Sequence, residues 1–117
     1  MSISISWVIL LMGCMRVYKQ VEISKTAELD IYNIALFLFY VMSDEVARNY
    51  LQAMRQEMKL LAYYADIYQD SDSVMIKNIH PEARRMLSHN KKWNYIFHIE
   101  DEIVVVDRIL ASSTISK

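Results

Sequence analysis

The pattern of hydrophobic and polar positions predicts a strand followed by two helices. From Val17 to Ile23 the side chains alternate between two sides, which is typical of a strand. Residues 25–42 carry apolar side chains at spacings of three and four behind Ser24, an expected N-cap, so a helix is predicted there. A second helix is predicted to begin at Ser43, because its apolar positions step by four and three: Ala47, Leu51, Met54, Met58, Leu61 and Ala65.

Three short strands are predicted in the second half of the chain. They are Arg84 to Ser88, Trp93 to Glu100 and Ile103 to Leu110, and the short polar segments between them indicate antiparallel hairpins. In the strand that begins at Trp93, Asn94 and His98 lie on the side opposite the aromatic residues. The expected fold class is α+β, in the order β-α-α-β-β-β, with an antiparallel sheet packed by an N-terminal helical hairpin.

The second half of the first predicted helix, from Ile34 to Met42, is apolar on every side. One face of a sheet cannot cover such a segment, so we expect Phe37, Phe39 and Tyr40 to contact a partner protein. A second copy of this chain, forming a homodimer, is one such partner. Burial under the sheet or under residues 1–14 is the alternative.

The first 15 residues carry no charged side chain. They are shorter than the roughly 20 residues that a membrane-spanning helix needs, so no stable membrane span is expected. Leu11 to Cys14 resembles a lipoprotein cleavage box, but the first cation, Arg16, follows the apolar block instead of preceding it. We therefore interpret residues 1–14 as an apolar extension, which either resembles a signal peptide or results from the choice of a non-native start codon. Residues 15–117 are interpreted as the functional domain.

The composition narrows the class of protein further. A chain of 117 residues forms one domain, and its single cysteine, Cys14, can form neither an internal disulfide nor a zinc site. This cysteine usage favours a reducing, cytoplasmic compartment. The sequence contains no metal-ligand cluster, glycine-rich phosphate loop or nucleophile triad, so neither a metal nor a cofactor is predicted.

Charge is distributed unevenly along a chain whose net charge is only −1. Residues 75–98 hold five cations and one acid, a net charge of +4, whereas residues 22–72 hold nine acids and four cations, a net charge of −5. The basic stretch is predicted to be either a binding surface or a solvated strand rim. The candidate target-binding or nucleic-acid-binding residues are Arg84, Arg85, Lys91, Lys92 and Arg108.

Several segments resemble the RelE/ParE superfamily of bacterial type II toxins. They are the helical hairpin after V-E-I-S, then A-R-R-M-L, then W-N-Y-I-F-H-I-E-D-E-I-V-V-V-D-R-I-L, and together the resemblance covers about residues 16–111. It implies a small cytosolic toxin that inhibits growth and that a cognate antitoxin, encoded beside it, holds inactive. RelE-like members cut messenger RNA on the ribosome, whereas ParE-like members poison DNA gyrase. The antitoxin then becomes the alternative partner for Phe37, Phe39 and Tyr40.

Two departures from the family pattern favour the ParE-like branch. RelE-like toxins carry cations where this chain has Asn94 and, after the last strand, the stretch around Ser113. Cutting RNA requires such cations to stabilise the phosphate in the transition state. We therefore expect a toxin that binds gyrase and is not an enzyme. The alternatives are a metal-independent, ribosome-dependent endoribonuclease with His98 and Arg85 as candidate catalytic residues, or a non-toxic homologue that only binds the antitoxin.

Overall fold

A computed structural model describes residues 18–114. The interpretation of residues 1–14 and the predicted start of the first strand at Val17 lie outside the described residues. The elements within them are, in chain order, β1 (Gln20–Ile23), α1 (Lys25–Val41), α2 (Asp44–Lys59), α3 (Leu61–Tyr64), a 3-10 turn (Ala65–Ile67), α4 (Val74–Lys77), β2 (Arg84–Leu87), β3 (Trp93–Glu100) and β4 (Ile103–Ala111).

The α+β class and the predicted order of the main elements are confirmed. The four strands form one sheet in the spatial order β1-β4-β3-β2, and β2, β3 and β4 pair antiparallel as expected. The antiparallel prediction fails at one pair, because β1 runs parallel to β4, with Val21 beside Val104 and Ile23 beside Val106. No hairpin turn constrains this pair, since the two helices and two further strands separate β1 from β4 in the chain.

Serine caps start both long helices. The Ser24 side chain accepts a hydrogen bond from the Ala27 amide at 3.0 Å, and its hydroxyl donates to the Asp107 carbonyl at 3.1 Å. The first contact caps α1, and the second ties the start of α1 to β4. Ser43 caps α2 in the same way.

The second predicted helix is shorter than its apolar pattern suggested. α2 ends at Lys59, where the Leu60 amide is shared between the carbonyls of Gln56 and Glu57, and α3 then continues as a separate turn. Leu61 and Ala65 are nevertheless buried, so the apolar spacing identified the core residues beyond the interruption.

The main core lies between the helical hairpin and one face of the sheet, here called the helix side. Tyr95 and Phe97 of β3 and Val104 and Val106 of β4 have no accessible surface there. They pack against the buried faces of the helices, formed by Ala27, Ile31, Ile34, Leu38, Ala47, Met54 and Met58. Burial of these apolar side chains is the dominant favourable contribution to folding.

A polar pair links this core to its edge, where Glu57 is half-buried. The Tyr95 hydroxyl donates to Glu57 Oε1 at 2.5 Å, and Glu57 Oε2 accepts the His89 amide at 2.6 Å. Burial, reinforced by the hydrogen bond and charge of Glu57, raises the pKa of Tyr95 well above its ordinary value. The pair joins α2 to β3 and to the turn that precedes it.

A bulge in β4 changes which residues face each side of the sheet. Phe97 pairs with Val106 whereas Ile96 pairs with Arg108, which leaves Asp107 as the additional residue in β4. After the bulge, the alternation of β4 side chains between the two faces of the sheet is shifted by one position. Ile109 therefore joins the core on the helix side, and Leu110 joins a second cluster on the opposite side.

Candidate functional site

The candidate site lies on the face of the sheet opposite the helices, here called the open side. Asn94, Ile96 and His98 of β3 point to this side, as the strand alternation predicted. The segment from Val74 to Ala83 covers its middle part, with Ile76 and Ala83 packed against Ile96 and Leu110. This segment contains the short helix α4, capped by Ser73.

A cleft of about 1020 Å³ lies between this segment and the sheet. The sheet, the turn before β3 and the turn after β4 contribute two of the predicted binding residues, Arg85 and Lys91, together with Asn94 and Ser112. The other wall consists of residues that precede or begin α4, including Tyr68, Ser71, Asp72, Ser73 and Met75. The cleft thus combines two cations and several neutral polar groups with one acid.

A chain of hydrogen bonds fixes the floor of the cleft. The buried Asn94 donates from Nδ2 to Ser112 Oγ at 3.0 Å, and that hydroxyl donates to the Lys91 carbonyl at 2.7 Å. The Lys91 amide donates to the Ser88 carbonyl at 2.9 Å. These bonds hold Lys91 at φ 66°, the left-handed region that glycine favours. Strain of this kind persists only where the surrounding structure determines it.

A second cluster on the open side centres on His98. Its Nδ1 lies 2.7 Å from Asp107 Oδ2, and its ring stacks on His80 with a centroid separation of 3.7 Å and an angle of 4°. The His80 Nδ1 accepts the Glu82 amide at 3.0 Å, so the proton of a neutral His80 ring is on Nε2. Only 7% of His98 is exposed, which limits its access to a large substrate.

Two of the predicted binding arginines are held in contacts within the molecule. Arg108 forms two hydrogen bonds with Asp30 of α1, at 2.8 and 3.2 Å, and this carboxylate raises the pKa of the guanidinium. Arg84 donates from Nη1 to the Ala65 carbonyl at 3.1 Å, and its Nε lies 3.4 Å from Asp70 Oδ1. Both arginines thus connect the sheet to helical segments.

Arg85, Lys91 and Lys92 are exposed, and none of them forms an ion pair with another residue between 18 and 114. The structure therefore brings Arg85 and Lys91 together in the cleft. It places Lys92 on the surface of the same turn as Lys91 and separates Arg84 and Arg108 from the cleft.

The predicted partner-binding residues lie on α1, on the helix side of the sheet. Phe37, Phe39 and Tyr40 are all exposed, and Tyr40 most of all, at 88%. Contact with a partner through these three residues stays a prediction.

Sequence reasoning missed several residues of these sites. On the open side they are His80, Asp107 and Ser112, and on α1 they are Leu29, Tyr32 and Leu36. The three α1 residues could have been found, because they recur at helical spacing with Tyr40. The contacts of His80 and Asp107 with His98 could not be predicted from the sequence. The loop that contains His80 stacks its ring on His98, and the bulge in β4 brings Asp107 beside it.

Within the described range, no three or more His, Cys, Asp or Glu side chains are grouped so that they could hold a metal ion. The helices between residues 18 and 114 include none that is long and apolar enough to cross a membrane.

Comparison with known proteins gives a likeness in fold. No family model matches the chain, and no curated protein matches its sequence. Among solved structures, it is similar to a chain of the "Chromosomal ParDE TA system from P. aeruginosa", with a TM-score of 0.68 and 16% identity over 80% of this chain and 96% of the other. This likeness shows that the two chains share a fold, which is the fold that the resemblance to the RelE/ParE superfamily implied.

Proposed function

We propose that this protein is the toxin of a type II toxin-antitoxin system, that it belongs to the ParE-like branch and that it acts in the cytoplasm by binding DNA gyrase. A cognate antitoxin neutralises it. The observation that carries this proposal is the fold shared with a ParDE chain over nearly the whole of that chain. The order of the elements and the paired last strands, on which the resemblance to the RelE/ParE superfamily rests, agree with it.

The open side supports binding over RNA cleavage. A cutting site needs exposed cations around the phosphate and an accessible group to move the proton of the 2′-hydroxyl. The cleft has Arg85 and Lys91, but its floor is formed by the neutral side chains of Asn94 and Ser112. His98 is enclosed between Asp107 and His80. These groups suit recognition of a surface better than transfer of a proton to RNA.

The proposal assigns different roles to the five basic residues. Arg85, Lys91 and Lys92 are exposed and contact the target. Arg84 and Arg108 hold the sheet against the helical segments through the Ala65 carbonyl and Asp30, and they act on target binding only by positioning the open side.

The direct test is expression in bacteria with and without the antitoxin gene. We expect growth arrest accompanied by blocked supercoiling or DNA breaks, with messenger RNA intact on ribosomes. Replacing Arg85 and Lys91 together by alanine should relieve the arrest. The matched control, Lys59→Ala, removes an exposed cation from the end of α2, and we expect it to leave the arrest unchanged.

The His98→Gln variant separates this proposal from its two alternatives. A binding toxin should tolerate the change, whereas loss of a general acid or base reduces the rate of an enzyme by about 10² to 10⁴. Ribosome-dependent cleavage that disappears in His98→Gln would establish the endoribonuclease. Tight antitoxin binding without any growth arrest would establish a non-toxic homologue.

A further inference from the structure

A small pocket lies between α2 and the start of β3, on the helix side of the sheet. Its lining includes Tyr50, Met54 and Glu57 of α2 and Trp93 of β3. Its volume is about 150 Å³, below the roughly 300 Å³ of pockets that take whole small molecules. The pocket is therefore of a size to hold the head group of a single side chain.

Hydrogen bonds hold the two aromatic side chains of the pocket in position. The Tyr50 hydroxyl accepts one bond from Trp93 Nε1 and one from Asn90 Nδ2, each at 2.8 Å. Asn90 Oδ1 in turn accepts bonds from the Ser88 hydroxyl at 2.7 Å and from the Lys92 amide at 3.0 Å. Because these side chains are already fixed, a ligand that enters the pocket has little ordering cost to overcome.

Glu57 gives the pocket a negative charge that has no cationic partner. Its two oxygens accept one hydrogen bond each, from the Tyr95 hydroxyl and the His89 amide. A donor on each oxygen indicates an ionised carboxylate, because a protonated one would itself donate from one of them. No lysine or arginine between residues 18 and 114 lines the pocket or forms an ion pair with Glu57. A half-buried charge thus lacks a counter-charge within the described part of the chain.

We propose that this pocket binds the guanidinium group of an arginine from a partner protein. The carboxylate selects a cation, and aromatic side chains such as Tyr50 and Trp93 attract cations as well. Each Glu57 oxygen keeps a free lone pair beside the bond that it already accepts, and two parallel N–H groups of a guanidinium match such a pair of acceptors. A guanidinium is also planar and weakly hydrated, whereas the ammonium of lysine is a compact, strongly hydrated charge.

The cations nearest in the chain do not fill this role. Lys91 and Lys92 belong to the turn before β3, but neither lines the pocket, and Lys91 lines the cleft on the open side. Exposed charges of this kind are screened by salt, whereas a contact with the half-buried Glu57 is screened much less. The inference concerns the helix side of the sheet and does not depend on which target the open side binds.

Titration of the full chain with N-acetyl-arginine amide, followed by the NMR signals of the Trp93 ring, tests the proposal. We expect saturable shifts. N-acetyl-citrulline amide, which has the same shape but no charge, should bind at least about tenfold more weakly, because hydrogen bonds to charged groups are stronger than neutral ones. A pH of about 7.5 keeps imidazoles largely neutral, so that His89, which also lines the pocket, does not compete for Glu57.

Two pairs of variants locate the binding site. Glu57→Gln removes the charge while its amide oxygen can still accept from Tyr95, and it should weaken binding of the arginine probe at least about tenfold. Glu45→Gln is the matched control, because Glu45 is exposed on the same helix outside the pocket. If Glu57→Gln does not fold, Ala53→Phe fills the pocket from an exposed position of its lining and should abolish binding. Gln52→Phe, which places the same ring outside the pocket, should bind like the wild type.

Three results would overturn the proposal. The first is that the citrulline probe, or N-acetyl-lysine amide, binds as tightly as the arginine probe, since the pocket would then not select a guanidinium. The second is that the arginine probe binds equally well to the wild type and to a folded Glu57→Gln or Ala53→Phe variant. The third is that free arginine binds much more tightly than the blocked probe, which would assign the pocket to the amino acid instead of a partner protein. Loss of growth arrest alone would contradict only the function proposed for the open side.

Discussion

On the helix side of the sheet, Tyr95, Phe97, Val104 and Val106 are fully buried against the helical hairpin. On the open side, β3 presents Asn94 and His98, two polar residues that are also buried but whose partners are other polar groups. The two sides of β3 therefore reach similar burial by different means. The helix side removes a large apolar surface from water, whereas the open side combines satisfied hydrogen bonds with a smaller apolar cluster around Ile96.

Because of this difference, one side of β3 mainly stabilises the fold, and the other side is available for function. Burial of apolar area stabilises the fold, whereas a buried polar group contributes little beyond offsetting the cost of its own desolvation. The polar groups of the open side are nevertheless fixed in position by short hydrogen bonds. Fixed polar groups beside an open cleft are suited to recognising another molecule.

The largest effect on stability is expected on the helix side. Replacing Phe97 by alanine removes a fully buried ring from the main core and should lower the free energy of unfolding by about 3–5 kcal/mol. Urea denaturation followed by circular dichroism measures this change. If the variant does not fold, Val104→Ala provides a smaller cavity at the same side of the sheet. If Phe97→Ala lowered the free energy of unfolding by less than an open-side substitution does, the contrast between the two sides would be contradicted.

Tyr95→Phe should have the next largest effect, about 1–3 kcal/mol, because it leaves the half-buried Glu57 without its hydroxyl donor. Folding raises the pKa of Tyr95 above its ordinary value of about 10, so at high pH the tyrosine ionises first in the unfolded state. The stability that neutral Tyr95 contributes is complete below pH about 10 and decreases above it. The variant should lose this part of the pH dependence.

The matched control for Tyr95 is Tyr18→Phe, which changes an exposed tyrosine beside β1. It should leave both the free energy of unfolding and its pH dependence unchanged. Equal slopes above pH about 10 for the wild type and Tyr95→Phe would show that Tyr95 is not the group responsible.

A smaller effect is expected from Asp107→Asn on the open side. An asparagine carbonyl still accepts a hydrogen bond from His98, so the loss is limited to the charge and should be about 1 kcal/mol or less. Chemical denaturation measures the stability, and the imidazole signals of His98 in an NMR spectrum report its altered partner. A cost equal to that of Phe97→Ala would make the open side as much a stability core as the helix side.

The smallest effect on stability is expected at Lys91, and it has the opposite sign. Lys91→Gly relieves the positive φ and should stabilise the fold by about 0.5–1 kcal/mol while it removes a cation from the cleft. Asp101→Gly is the matched control, since Asp101 has φ 58° in the β3–β4 turn and does not line the cleft. Both should raise the melting temperature, and only Lys91→Gly should weaken growth arrest.

Local patterns were sufficient to predict most of the fold. The bounds of β3 were predicted correctly, and those of α1 and β4 to within one residue, because apolar periodicity and serine caps act over a few residues. The interruption at Leu60, the turn of α4 and the parallel pairing of β1 were not predicted. The parallel pairing depends on segments distant in the chain, since β1 contacts β4 and the Lys19 amide before it donates to the Ala62 carbonyl.

The candidate site was predictable only in part. Arg85 and Lys91 were selected from the local excess of basic residues, and they do line one cleft. Arg84 and Arg108 belonged to the same selection, yet their carboxylate partners, Asp70 and Asp30, lie 14 and 78 residues away in the chain. A charge in the sequence does not show whether it is paired, because pairing is decided by the packing of separate elements.

The sequence by itself determined the α+β class, the order of the elements and the alternation that places Asn94 and His98 opposite the aromatic core. It did so because the geometry of a helix or a strand fixes which face each side chain points to from its spacing in the sequence. Only the tertiary structure decided that a bulge at Asp107 and a stacked His80 enclose His98, and that Leu29, Tyr32, Leu36 and Tyr40 of α1 are exposed among residues 18–114. Those outcomes depend on which elements contact each other in the folded chain, and these contacts cannot be predicted from periodicity or composition.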